Sequence, residues 1–252
     1  MAVNIIQAKL PPFLKYKTTE DLVRLGKDND GGYLVAQADI MESDFLLSFG
    51  IKEDWSFEKD FLELNSVPVL AYDGSISLKK FRKLFYKSFL NPLRIRRHFR
   101  RARIYSGFKS FFSGKNVHRE KFIGLGDENF ESLDELFSQI RSEKIFLKID
   151  IEGHEYRILN ELLKHQSRIS GLAIEFHDCD LHIERLEKFI TAFELSLIHI
   201  HPNNWVGIDS KGLPLAMEMT FSRNGVCHVA PSFPNNLDMA NNSQKSDIRI
   251  DF

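Results

Sequence analysis

Leu147-Lys148-Ile149-Asp150-Ile151-Glu152-Gly153-His154-Glu155 is an apolar run that ends in a burst of charge. Its first half has the length and composition of a strand buried on both faces. Side chains two apart on a strand face the same way, so Asp150 and Glu152 project together from the strand's carboxyl end. A helix-periodic segment, Glu155–Leu163, follows. A buried strand that stops in carboxylates and turns into a helix is the unit of a parallel α/β sheet, where ligands bind beyond the strand ends.

The same alternation extends both ways. Phe45–Gly50 and Val67–Tyr72 read as strands, with a helix at Trp55–Leu64 between them that puts Phe57, Phe61 and Leu64 on one face. Ser132-Leu133-Asp134-Glu135 is a capping box that starts a helix from Leu133 to Ile140. Ile145–Ile151 and Leu172–Phe176 are further strands, and Leu181–Phe193 is a helix with Leu186, Phe189, Ile190 and Phe193 inward. Leu197–His201, Leu213–Phe221 and Val226–Ala230 are late strands; the last two have no helix between them and predict an antiparallel hairpin. Residues 1–30 read as an N-terminal extension with a short helix near Thr19–Leu25. The turn Asp30-Gly31-Gly32 then leads into a strand at Tyr33–Ala36. Pro231–Phe252, rich in Asn, Ser and Asp, reads as a mobile tail. The expectation is an α/β domain over residues 1–230 with a mostly parallel, doubly wound sheet. It carries an insertion at about 76–121 and a flexible tail at 231–252.

The chain has 252 residues, 43% of them apolar, enough for a sizeable core. No run of 18 apolar residues predicts a spanning helix, and the opening residues lack the pattern of a signal peptide. Two cysteines, Cys179 and Cys227, have no metal-type spacing, so a reducing cytoplasm is expected. The net charge of −1 hides an asymmetry. From Gly74 to Arg119 there are fourteen Lys and Arg and no Asp or Glu, which leaves 20 basic against all 35 acidic residues elsewhere, a balance of −15.

Each strand end offers chemistry. Ser48-Phe49-Gly50-Ile51 allows close backbone approach by a ligand, or is an ordinary glycine turn. Tyr72-Asp73-Gly74 sets an acid some 20 residues further on, where it could accept a ribose diol; the plain alternative is an Asp-Gly turn. Glu175-Phe176-His177-Asp178 repeats the spacing of Asp150 and Glu152, and His199-Ile200-His201-Pro202-Asn203-Asn204 follows the next strand. Such groups at strand ends are costly to bury unless paired or used.

These segments resemble the FkbM family of S-adenosylmethionine (SAM)-dependent methyltransferases. The central stretch from Lys148 to Glu155, with Leu159 downstream, is similar to that family's central motif. Asp30-Gly31-Gly32-Tyr33 with Leu47-Ser48-Phe49-Gly50-Ile51 resembles the N-terminal half of one branch. Glu175-Phe176-His177 and His201 to Asn204 have counterparts too, so the likeness spans roughly Asp30 to Phe221. It implies a Rossmann-like class I methyltransferase fold, SAM as methyl donor and, commonly, a hydroxyl acceptor. It would set Phe49 and Gly50 against the cofactor's amino-acid end and Asp73 and Gly74 at its ribose. Gly126 and Asp127 would lie near the adenine and Asp150 near the methionine portion. Only Gly50 stands where the usual fingerprint has several glycines, and the Asp30-Gly31-Gly32-Tyr33 turn is expected to compensate by folding over the cofactor.

For chemistry, His177 is the first candidate base, since its ordinary pKa suits neutral pH. Asp150 or Glu175 would orient it or act instead. Alternatively Asp150, Glu175 and His177 ligate Mg²⁺ or Mn²⁺ with Asn203 nearby, or these groups simply bond one another. Glu152, His201 and Asn203 are candidates for the acceptor, although His199 and His201 also read as strand-end packing. His98, His118 and His182 are read as non-catalytic, and Cys179 as structural. The segment Lys79–Lys121 interleaves arginines with aromatics. It reads as a helical subdomain with solvated arginines, as a dock for a phosphorylated or lipid-linked glycan through Arg97, Arg100 and Arg101, or as a surface for anionic membrane or nucleic acid. The expected function is O-methylation of a sugar, glycan or similar acidic acceptor, in the cytoplasm or at the inner membrane face. The rivals are a Mn²⁺-dependent nucleotide-sugar glycosyltransferase and a non-catalytic cofactor-binding adaptor.

Overall fold

In the computed structural model, which describes residues 6–90, 94–124, 128–225 and 228–252, the chain begins with β1 (Ile6–Lys9). A hairpin of β2 (Leu22–Leu25) and β3 (Tyr33–Ala36) leads to α1 (Gln37–Glu42). Next come β4 (Phe45–Phe49), α2 (Ser56–Leu64), β5 (Val69–Tyr72), the helix pair α3 (Leu78–Ser88) and α4 (Ile95–Phe111), and β6 (Asn116–Arg119). Two short strands, β7 (Phe122–Ile123) and β8 (Phe130–Glu131), precede α5 (Leu133–Gln139). Then follow β9 (Ile145–Ile149), α6 (Leu159–His165), β10 (Ile169–Phe176), α7 (Cys179–Ala192), β11 (Ser196–Pro202), β12 (Met217–Ser222) and β13 (Ile248–Asp251).

Seven strands form one sheet in the order β11-β12-β10-β9-β4-β5-β6. All neighbours are parallel except β12, which runs antiparallel to both β10 and β11. The chain enters at β4, winds outward to β6, returns to β9 beside β4 and winds the other way. That is a doubly wound, Rossmann-like sheet, and its switch point lies between β4 and β9. Strand alternation splits the core into two layers. Leu47, Leu147 and Leu172 face Leu136, Leu162 and Phe189 of α5, α6 and α7. Leu46, Phe146 and Ala173 face Phe57 and Phe61 of α2 with Val35 and Ile40. Burying each such large side chain contributes about 1.5–3 kcal/mol. The capping box forms as its spacing requires, with Ser132 and Glu135 each accepting from the other's backbone N–H. Among the described residues no helix is long and apolar enough to cross a membrane.

Five expectations need correction. The segment expected as a helix near Thr19–Leu25 is β2, because Val23 and Leu25 alternate into the α2 layer while the strand pairs with buried β3. The helix at Glu155–Leu163 is a 3-10 turn, Glu155–Arg157, followed by α6. The basic insertion is the crossover from β5 to β6, and it hides an edge strand, Asn116–Arg119, whose polar composition suits a half-exposed position. The antiparallel hairpin is β11–β12; Val226 and Cys227 lie outside the described residues, and Val229 makes a single bridge to Thr18. The mobile tail is instead packed. β13 pairs in parallel with β1, Phe233 stacks edge-on against Tyr16, and buried Asn241 donates to Glu218. Polar composition there reflects partners, not solvent.

Candidate active site

At the switch point the ends of β4 and β9 touch. Gly50 has φ of +73°, and a Cβ there would stand 1.6 Å from the Asp150 carbonyl oxygen, so only glycine fits. The Gly50 N–H donates to the Tyr72 carbonyl and the Asp150 N–H to the Phe49 carbonyl, both at 3.0 Å. This ridge divides two cavities whose walls share Gly50, Lys52, Asp150 and Glu152. Lys52 and Glu152 both hold left-handed backbone, at φ 46° and 56°, and their side chains form an ion pair across the ridge. Non-glycine residues in that conformation cost on the order of 1–3 kcal/mol each and mark a built feature.

The first cavity, about 200 Å³, has apolar walls of Tyr72, Phe122, Ile123 and Ile151 with one buried acid, Asp73. Asp73 Oδ2 accepts the Lys52 N–H and Oδ1 the Ser75 N–H, each at 2.7 Å. Each carboxylate oxygen keeps capacity for a second donor.

The second cavity, about 250 Å³, is acidic. Asp150, Glu175 and His177 each turn one ligand atom to a common point, all within 4.8 Å of one another. His177 Nδ1 lies 3.2 Å from Glu155 Oε1, and its Nε2 lies 3.9 Å from Glu175 Oε1 and 3.8 Å from Glu152 Oε2. Glu155, fully buried, also accepts the N–H groups of Ile151 at 3.0 Å and Gly153 at 3.3 Å. One carboxylate thus fixes both the turn after β9 and the imidazole after β10. Asn203 Nδ2 donates to Glu175 Oε1 at 2.7 Å. Lys148, the one charge within buried β9, donates to the Gly50 carbonyl at 2.9 Å and lies 3.6 Å from Asp150 Oδ2. Asp150 Oδ1 is buried with no hydrogen-bond partner among the described residues.

Crowded carboxylates make this cavity hold protons. Burial, then the charges of Asp150 and Glu218, push Glu175 up to about 8. Burial opposes charge on His177, but the Glu155 hydrogen bond and the neighbouring carboxylates outweigh it and lift the imidazole to about 9. Asp30, at the mouth, is raised by burial.

Of the residues singled out in the sequence, Asp30, Gly31, Gly50, Asp150, Glu152, Glu175, His177 and Asn203 meet in the acidic cavity, and Asp73 joins Gly50, Asp150 and Glu152 in the apolar one. Phe49 and Tyr33 are core residues outside both walls. Gly32 lies under the Arg24 guanidinium, and Gly74 leaves room for the Phe122 ring. His201 lines neither cavity; Glu218, at 3.0 Å, and Asp247, at 3.2 Å, hold its ring. Arg100 and Arg101 grip Glu53 at 3.3 and 2.5 Å, and Arg97, one turn earlier on α4, lines a separate cavity; none of the three lines either cavity of the cleft. Gly126 and Asp127 lie outside the described residues. Burial pushes the Cys179 thiol up to about 12, which suits a packing role. Sequence reasoning missed Lys52, Lys148 and Glu155. A lone lysine in an apolar strand was a readable signal, whereas the left-handed conformation of Lys52 was not.

No protein-family model matches the chain, and no curated protein matches it. Solved structures do resemble it. Precorrin-6y C5,15-methyltransferase from Geobacter metallireducens aligns over 75% of this chain and 85% of its own, with 10% identity and a TM-score of 0.41. An rRNA methylase from Streptococcus thermophilus aligns over 74% and 93%, with 7% identity and a TM-score of 0.38. A Streptococcus mutans protein in complex with SAH aligns over 73% and 94%, with 8% identity and a TM-score of 0.38.

Proposed function

We propose that the chain is a SAM-dependent methyltransferase, of the FkbM type it resembles, that methylates a hydroxyl of a sugar or glycan-like acceptor. The observation that carries this reading is the pair of cavities meeting at the Gly50–Asp150 ridge, one apolar with a buried acid, the other rich in carboxylates. The residues present fit the cofactor. Asp73 would accept the ribose hydroxyls, Tyr72, Phe122 and Ile123 would enclose the base, and unpartnered Asp150 Oδ1 would face the amino-acid end. When bound, SAM supplies a methyl group already activated by its sulfonium.

The chain's own residues must then position an acceptor and take its proton. His177, oriented by Glu155, is the base; it releases its proton more readily once a cation neutralises the surrounding carboxylates. Asn203 holds Glu175 in place, and half-exposed Trp205 at the rim offers a flat apolar face to a sugar ring. In the alternative to His177 as base, the Asp150, Glu175 and His177 donors would hold Mg²⁺ or Mn²⁺, which would lower the pKa of a coordinated acceptor hydroxyl.

The deciding test is calorimetry with S-adenosylhomocysteine on the wild-type protein and on Asp73→Asn, with and without EDTA. Micromolar binding that weakens at least tenfold in the variant supports the reading. A folded protein that binds no S-adenosylhomocysteine but binds a uridine or guanosine sugar nucleotide overturns it in favour of glycosyl transfer.

A further inference from the structure

The α3–α4 hairpin has two unlike ends. Near the sheet, Phe81 and Phe108 close on Trp55, Ile51 and Ala71, and Gly107 lets Trp55 approach to where a Cβ would lie 3.1 Å from its ring. At the other end, Ser88 bonds His98 at 2.9 Å and Phe89 lies 4.1 Å from the His98 ring, so the close of α3 and the start of α4 present one surface. That surface is apolar and uncovered among the described residues. Leu90 is 82% exposed, Phe99 66% and Ile95 62%. Around it stand Lys83, Lys87, Arg94, Arg96 and Arg103, all exposed, with no carboxylate in ion-pair reach among the described residues. Lys87, Arg94 and Arg97 converge on a cavity of about 190 Å³ floored by Leu84 and Leu90.

We infer that this end of the hairpin is a docking surface for an anionic phospholipid membrane. The inference stands apart from the methyl-transfer reading. Three features select the partner. The exposed apolar residues include the aliphatic Leu90 and Ile95, which gain by entering hydrocarbon. Phe89 and Phe99 pack edge-on against the His98 ring, at 4.1 and 6.0 Å, whereas single strands of nucleic acid are held by rings free to stack on successive bases. A second copy docked through this same surface would bring like charges together, since residues 74–119 contain fourteen basic and no acidic residues. In an anionic leaflet the basic residues meet lipid phosphates while Leu90, Ile95 and Phe99 sit at the acyl boundary. Arg100 and Arg101, two turns up α4, hold Glu53 beside Lys52 of the cavity walls, so docking fixes the cleft relative to the bilayer.

The test is flotation of the full chain with phosphatidylcholine vesicles, with and without phosphatidylglycerol. The expected result is binding to the anionic vesicles alone, weakened by salt. Lys87→Glu with Arg94→Glu and Arg96→Glu lowers partitioning by about two orders of magnitude or more. Ile95→Ser with Phe99→Ser lowers it at least tenfold, and circular dichroism shows both variants folded. Several results would overturn the inference: no vesicle binding at low salt, or charge-dependent binding that ignores the Ile95→Ser and Phe99→Ser changes. A single-stranded RNA that displaces the protein from vesicles would do the same, as would a dimer in sedimentation that the serine variant abolishes.

Discussion

In the cleft, Glu155, Glu175 and Lys148 are buried, and each has a hydrogen-bond partner, in His177, Asn203 and the Gly50 carbonyl. On the hairpin, Lys87, Arg94 and Arg96 stand in solvent with no acid in reach among the described residues. Buried charges must be paired, and the pairing fixes shape. Solvated charges cost little to keep and stay free for a partner. Changes in the cleft therefore move stability and chemistry together, while changes on the hairpin end leave the fold alone.

The largest test of this contrast is Gly50→Ala. The new methyl group would overlap the Asp150 carbonyl, and we expect about 3–5 kcal/mol of destabilisation or failure to fold. Melting within a degree of wild type would mean the ridge does not set the two cavities. Next is His177→Ala, which should lower turnover by about 10²–10⁴-fold while leaving S-adenosylhomocysteine affinity within a few-fold. Equal losses in both would make His177 a binding residue. Glu155→Gln removes a charge that raises His177, so the alkaline-rising limb of the pH–rate profile should move to lower pH. An unmoved limb would break the link between the two.

The cleft also predicts how stability depends on pH. Both Glu175 and His177 have folded pKa values above their ordinary 4.5 and 6.5. Their contribution is therefore full at low pH and is lost as pH rises through about 8 and about 9. Melting temperature should fall across that window, and Glu175→Gln should flatten the fall. The smallest effect belongs to the hairpin. Arg94→Glu with Arg96→Glu should shift unfolding free energy by no more than about 0.5 kcal/mol per residue. A larger loss would show that those arginines are structural.

Legibility followed the same division. The central strands and the Asp150, Glu175 and His177 cluster could be read from the sequence because periodicity and strand-end chemistry are local. β2, β6 and the C-terminal segment could not. Leu22–Leu25 is a strand because β3 pairs with it, and Asn116–Arg119 is an edge strand whose polar residues mimic a loop. Asn241 and Asp247 look like tail residues until Glu218 and His201 are set beside them by the fold. The role of Glu155 was hidden for the same reason, since its partner, His177, follows another strand.

The pairing of β1 with β13 joins Ile6 to Ile248, nearly the full span of the sequence. Contacts between such remote positions carry a large loop-closure cost and form slowly. On a ribosome, β1 is made before the other described strands, yet its strand partner among the described residues, Ile248–Asp251, is made after all of them. The seven-stranded sheet can assemble in the meantime, so the β1–β13 seam closes after it. A nascent chain stalled before that point would carry an open strand edge, the kind of surface on which chains aggregate.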